Sequence, residues 1–593
     1  MNNIGQVTTC APGSITVAIK GLKNFESHKA SLQIGRYLRI SLGNSDFTIA
    51  IIRNIRGSVN ENNSTIEDLD WIFYIECQAI GTLFDGRIFD RSSTLLPVPT
   101  EPAFVADESA LKFVFADNEF YNFRLGELSF NKSTIIKSNG DRLLGKHLAV
   151  VGSTGSGKSC TVASILQKTV GIHESINTFK ENQRNSHVVI FDIHDEYGSC
   201  FSLKSEELFT INKISVNSMV LPYWLMNSDE LESIFIESNE QNSHNQVSIF
   251  KQAVTLNKER HNELLTHVTY DTPVFFSLME VRNYIENMNN EIIGKLDGEN
   301  RPKLQNGALV DNRASMYFDK IHTFVPQSTA RENKASNGPF YGEFNRFLSR
   351  LDAKIADRRL EFLINPKKSD LSHYATNDFE AIIKQFIGYA NKSNISIIDL
   401  SSIPFEVLSI TVSLISRLIF DFAFHYSKIR HSQGKLNDIP IMVVCEEAHN
   451  YIPQKNEAAY NASRKSIERI AKEGRKYGIS LMVVSQRPSE VSETIFAQCS
   501  NYIALRLTNV NDQNYIKRLL PENDSAITDL LPNLSPGECL AVGDALMLPT
   551  VVKIDRPNPE PHSRNINVHQ EWSSPWKNIE FSTVVTRWRD DLK

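Results

Sequence analysis

An eight-residue run, Gly152-Ser153-Thr154-Gly155-Ser156-Gly157-Lys158-Ser159, constrains this chain more than any other feature. It has the spacing GxxxxGK[ST]. It follows the apolar stretch HLAVV and opens the helix-forming stretch SCTVASILQKTV. Glycines let the backbone fold tightly enough for its N–H groups to point at phosphate oxygens. The helix that follows adds the positive end of its dipole. In such a loop Lys158 neutralises the β- and γ-phosphates and Ser159 ligates Mg²⁺, and the nucleotide-binding run extends to Cys160. The sequence therefore predicts a strand–loop–helix unit that binds ATP or GTP.

The surrounding pattern agrees with that unit. From about residue 120, short apolar runs alternate with helical segments: HLAVV, HVVIFD, ISIIDLS, IPIMVVCEE, ISLMVVSQ and YIALRL. Runs without polar alternation suit central strands of a parallel sheet, buried on both faces. Residues 1–112 are different, with β-branched and aromatic runs separated by Gly, Asn and Ser, as in a small barrel or sandwich. The stretch LLPVPTEPAF then reads as a linker. The expected organisation is an N-terminal β-barrel domain over 1–112 and an α/β core over 120–205 and 388–555. A largely helical insertion over 206–387 interrupts that core, and a C-terminal tail over 556–593 docks on its own body or on a neighbour. Three of the five tryptophans, Trp572, Trp576 and Trp588, lie in that tail.

At 593 residues the chain exceeds one compact core. Its formal net charge of −6 excludes a protein that coats nucleic acid over its whole surface, so any DNA contact must be local. The seven cysteines form no CxxC pair, which argues against a zinc site and suggests a reducing, cytoplasmic setting. The longest apolar stretch, around 407–424, contains Arg417 and Asp421, so it reads as a buried helix and no membrane span is expected.

Three further motifs carry chemistry. In IMVVCEEAHNYIP, Glu446 and Glu447 stand where an apolar strand leaves a sheet. The first is placed to hold the magnesium shell through water, the second to orient the attacking water. In HVVIFDIHDEYGS, Asp192 ends a strand, where α/β sheets place ligand chemistry, while nearby Asp195 and Glu196 also suit capping a turn. In RKSIERIAKEGRKYG, acid–base pairs at i,i+4 account for part of the charge as a solvated helix face. Arg475 and Lys476 fall beyond the Gly474 that should end this helix, and a guanidinium there can reach a phosphate across an interface. Gln486 ends the next strand, where it can sense the γ-phosphate or cap the strand end; chemistry alone leaves both readings open. Arg301 and Lys303 in the insertion are possible DNA contacts, though a solvated loop is the better reading of their charge pattern.

Taken in order, GSTGSGKS, IFDIHDEYGS, a helical insertion, IIDLS, CEEAHNYIP and IAKEGRKYGISLMVVSQRPSEV resemble the HerA family of hexameric DNA-translocating ATPases, related to FtsK. The resemblance covers most of residues 1–560. It implies a RecA-like P-loop NTPase core with an N-terminal barrel, six such cores around a channel for double-stranded DNA, and ATP bound between subunits. By position it implies that Lys158, Ser159, Glu446 and Glu447 form the hydrolysis centre with Asp192 in support, and that Arg475 and Gln486 respond to the phosphates. Lys146 falls where relatives tend to have an arginine supplied to the next subunit, and lysine lacks the bidentate fork. The resemblance also implies a separate nuclease or sirtuin-like effector, in bacteria as part of anti-phage defence. A ring that scaffolds and activates an effector without processive movement is the competing expectation. A protein-remodelling ATPase would need an aromatic pore loop, which cannot be placed in this sequence.

Overall fold

The structure, a computed structural model, describes residues 3–60, 70–91, 94–115, 120–172, 183–201, 210–237, 243–296, 298–454, 461–519, 528–563 and 566–590. The first strands are β1 (Gly5–Ala11), β2 (Ser14–Lys20), β3 (Tyr37–Gly43), β4 (Asp46–Asn60), β5 (Asp70–Phe84), β6 (Ile88–Asp90) and β7 (Pro102–Val105). In β2 the residues Ile15, Val17 and Ile19 alternate inward, as a period of two requires, and are fully buried. Pairing runs β2-β1-β7-β3-β4-β5, and β5 returns to β2, so six strands close into a barrel with β6 flanking β5. Ile15, Val17, Leu38, Ile40, Ile52 and Ile75 are among the residues that fill it.

One expectation is corrected here. The stretch read as a linker from its prolines contributes β7, which sits between β1 and β3. Ahead of β7, the Leu95 carbonyl accepts from Thr48 Oγ1 at 2.6 Å and the Leu95 N–H donates to Thr82 Oγ1 at 2.9 Å. Proline is tolerated because Pro102 is the first residue of its strand.

The remaining strands are β8 (Phe123–Leu128), β9 (Asn131–Ser138), β10 (Leu148–Val151), β11 (His187–Asp192), β12 (Thr210–Ile214), β13 (Ile292–Gly294) and β14 (Ala335–Asn337). They continue with β15 (Ser393–Asp399), β16 (Ile441–Cys445), β17 (Ile479–Ser485), β18 (Asn501–Leu505), β19 (Glu538–Gly543) and β20 (Thr550–Ile554). The chain divides into two compact units. The first holds residues 1–211, 423–455 and 468–565, and so contains the barrel and a mixed sheet in the order β11-β16-β17-β10-β18-β19-β20-β8-β9. From β11 to β18 the strands run parallel, and from β18 onward each pair is antiparallel. Every residue of β10, β16, β17 and β18 is buried, as expected for unalternating apolar runs.

The second unit holds residues 212–422, 456–467 and 566–593. Its helices include Ser228–Phe235, Ser243–His261, Leu278–Asn290, Asn345–Ala356 and Phe379–Phe386, beside the antiparallel pair β13–β14 and the neighbours β12 and β15. The unit thus takes in residues 212–387 of the segment read as an insertion, within which 238–242 and 297 lie outside those described, and continues beyond it to Phe422. The long helix Phe405–Ser432 is apolar enough to cross a membrane by composition, and 78% of its apolar window is buried. Arg417 within it donates to Glu230 Oε2 at 2.8 Å, and Glu230 is itself buried, so the charge that interrupts the apolar run is paired.

Candidate nucleotide site

Three consecutive strands of the parallel sheet converge at one edge. β17 lies between β16 and β10, with Cys445 opposite Val483 and Val151 opposite Ser485. Their C-terminal ends therefore deliver, side by side, Glu446 and Glu447, then Gln486, then the loop that begins at Gly152. This is the end of a parallel sheet at which loops carry ligand chemistry.

The loop is shaped by its glycines. Gly155 and Gly157 have φ of 73° and 94°, outside the range side chains favour. A Cβ on Gly157 would lie 3.0 Å from the Gly537 nitrogen, and one on Gly152 would lie 2.6 Å from Ser156 Oγ. The neighbouring connections hold the loop in place. Ser153 N–H donates to the Arg506 carbonyl at 2.9 Å, Gly537 N–H donates to the Ser156 carbonyl at 2.9 Å, and Ser153 Oγ lies 3.2 Å from Thr508 Oγ1. Lys158 opens the helix Lys158–Val170, so Ser159 and Cys160 sit in its first turn.

Side-chain chemistry centres on Glu447. Lys158 Nζ donates to Glu447 Oε1 at 2.6 Å, and both residues are buried. Gln486 Nε2 donates to the same oxygen at 2.6 Å, while Thr154 Oγ1 donates to Gln486 Oε1 at 2.5 Å. Burial would raise the Glu447 carboxyl, but the ammonium of Lys158 and the hydrogen bonds from Lys158 and Gln486 hold it below its ordinary range. The backbone at Glu447 is left-handed, φ 45°, a conformation that costs a non-glycine residue about 1–2 kcal/mol and collects at functional sites. Sequence reasoning assigned no role to His449, yet its Nδ1 lies 3.3 Å from both Glu447 Oε2 and Ser485 Oγ. Burial lowers its pKa below the ordinary value, against the raising effect of the Glu447 charge. Its sequence signal was its place two residues after Glu447.

Glu446 differs from its neighbour. It is buried, its Oε2 has no hydrogen-bond partner, and burial together with the charge of Glu447 pushes its carboxyl up to about 8. An orphaned oxygen beside a phosphate loop suits a hydrated Mg²⁺, whose positive charge would draw that carboxyl back into its ionised form. Mg²⁺ takes one or two protein ligands and fills the rest of its shell with water and phosphate oxygens. Ser159 and Glu446 are the residues that would hold it. Asp192 ends β11 alongside them, but its oxygens accept N–H groups from His194 at 3.3 Å, Glu196 at 3.2 Å and Tyr197 at 3.0 Å. Its carboxylate therefore fixes the turn after β11, and burial raises its pKa.

Arg475 lies elsewhere. It is exposed in the turn Gly474–Tyr477, which precedes the first residue of β17, whereas Gln486 follows the last. Seven strand residues, about 20 Å, separate those ends. Lys146 is on the same side as Arg475, just ahead of β10, and is ion-paired with Asp544. In the insertion, Arg301 is paired with Asp311, and Lys303 with Glu299 at 3.1 Å, as a solvated loop would have them.

A family model for the central domain of helicase HerA matches residues 123–419. The chain belongs to the HerA family. A probable helicase of Methanocaldococcus jannaschii is 24% identical over 566 residues, covering 93% of this chain and 92% of that one. A DNA double-strand break repair helicase HerA of Sulfolobus acidocaldarius is 25% identical, covering 92% and 93%. Among solved structures, the plasmid coupling protein TrwB in complex with ADP and Mg²⁺ aligns at a TM-score of 0.40 and 12% identity, over 74% of this chain and 96% of that one. This HerA chain has the P-loop α/β core and N-terminal barrel expected of it.

The chemistry follows from the side chains. ATP and Mg²⁺, where bound, would supply the reacting phosphoryl group and the cation that offsets its charge. The loop N–H groups and Lys158 are placed to hold the phosphates. Were Lys158 to turn to a phosphate, Glu447 would lose its ion pair and keep the bond from Gln486, at the edge where water would attack. Glu447 would then be free to orient that water and take its proton.

Proposed function

We propose that this HerA protein is an ATP-hydrolysing double-stranded DNA translocase or helicase that works as a hexameric ring. In this reading it drives a separate nuclease or sirtuin-like effector in anti-phage defence, in the cytoplasm. The placement of Arg475 and Lys146 carries the reading. Both cations lie at the sheet end opposite Lys158 and Glu447, so neither can reach the phosphates bound to its own chain. A neighbour in a ring would offer that end to the phosphate loop of the next subunit, as an arginine finger requires. Cyclic assembly also reconciles a net charge of −6 with DNA binding, because a few cations per subunit add around a channel. The relatives named for helicase activity support a DNA substrate. Trp572, Trp576 and Trp588 are 85%, 95% and 69% exposed, which favours a tail that docks on a neighbouring subunit.

The test is the steady-state ATPase rate with and without linear double-stranded DNA. DNA should stimulate hydrolysis, and Lys158→Ala and Glu447→Gln should each lower the rate by about 10²-fold or more. A rate indifferent to DNA would sink the motor and leave the effector-activating scaffold.

A further inference from the structure

The segment after β20 takes an unexpected course. It runs back along the helix Lys158–Val170 from its last turn toward its first. Asp555 accepts from Lys168 Nζ at 2.8 Å. Gln167 then clamps the strand of chain on both sides, taking the Asn558 N–H at Oε1 at 3.0 Å and giving Nε2 to the Pro559 carbonyl at 2.8 Å. The turn after β11 holds the other flank, where Ser199 Oγ donates to the Glu560 carbonyl at 3.1 Å and His562 N–H donates to the Glu196 carbonyl at 3.1 Å. The segment ends at Cys160, whose thiol is half-buried among Glu560, Arg556, Glu196 and the Ser563 hydroxyl.

Cys160 marks a particular place on a nucleotide. A phosphate loop holds the β- and γ-phosphates at its lysine, and the chain of phosphates continues to the α-position along the first helical turn. The nucleoside must then leave the loop on the side of residue 160. Glu196 Oε2 is buried there with no hydrogen-bond partner, an acceptor suited to a hydroxyl or amino donor of a nucleoside.

We propose that residues 556–563 form a strap that walls the nucleoside end of the site, so that ribose and base pack between Cys160, Glu196 and the strap. This rests on the assignment of residues 152–160 as the ATP site. Phosphate recognition then belongs to the loop, and discrimination of the nucleoside belongs to a segment about 400 residues downstream.

Two probes separate these roles in the full-length protein by calorimetric titration: ATP, and inorganic tripolyphosphate, which has the phosphates without the nucleoside. Ser563→Trp, which crowds the wall, and Gln167→Leu, which releases the clamp, should weaken ATP about tenfold and leave tripolyphosphate unchanged. Lys158→Ala should weaken both. Unchanged ATP affinity in the strap variants, or an equal loss for both probes, overturns the strap. Should Gln167→Leu fail to fold, Ser563→Trp decides alone, since residue 563 is at the end of the strap. If Lys158→Ala leaves both probes unaffected, it is the phosphate-loop assignment that fails.

Discussion

At the scale of single residues, this protein couples buried charges to neighbours that hold them in one protonation state. Lys158 and Glu447 pair directly, and the ammonium helps hold the Glu447 carboxyl below its ordinary range. His147, just inside the sheet from Lys146, shows the opposite case. It is 1% exposed, its Nε2 lies 2.9 Å from the Ala471 carbonyl, and its Nδ1 accepts the Leu481 N–H at 3.0 Å. Only a neutral ring can accept at Nδ1. Burial, and to a lesser degree the charge of Arg475, lowers its pKa to about 4, whereas the Ala471 bond acts the other way. A lowered folded pKa means that the unfolded chain binds the extra proton first. The stabilisation is thus complete above about 6.5 and is lost as pH falls toward 4, on the order of 3 kcal/mol in all. Thermal melts from pH 7 to pH 4.5 should show this acid sensitivity, and His147→Gln should flatten the slope whatever it costs at neutral pH.

At the scale of elements, the sequence was most legible where a motif and an apolar run coincided. The strands at 148–151, 187–192, 441–445 and 479–485 were placed from unalternating hydrophobicity, and each ends at or just before a candidate site residue. Strand β7 was misread because its prolines outweighed four residues of weak alternation, while closure of a barrel rewards any segment that fills the gap between β1 and β3. Asp192 was legible as a strand-end carboxylate, but nothing in the sequence shows that three backbone N–H groups occupy it. A role for Arg475 at the phosphates was an expectation from the family resemblance, and its distance from Lys158 emerges only from the parallel register of β10 and β17. The loop itself gives an element-scale prediction. Gly157→Ala would add a Cβ 3.0 Å from the Gly537 nitrogen at a φ of 94°, so the loop must open. Equilibrium binding of ATP should weaken by about tenfold or more, with the circular dichroism of the folded chain unchanged.

At the scale of the whole molecule, the proposed ring would make subunits interdependent, because Arg475 and Lys158 lie at opposite ends of one sheet. Lys158→Ala chains and Arg475→Ala chains should each be nearly inactive alone. Mixed in equal parts and reassembled, they would restore about one interface in four if each site draws one residue from each of two neighbours in a closed ring. Activity that fails to recover on mixing would mean that Arg475 does not serve the site in trans. The barrel has a separate consequence for how the protein meets other molecules. Because β2 pairs with β5, the six strands close on one another and expose less edge than an open sheet of the same strands would. A guest therefore finds little backbone here to extend with a strand of its own. Recognition of the barrel then falls mainly to the relief and charge of its outward side chains, and a few substitutions there can change the guest without disturbing the host.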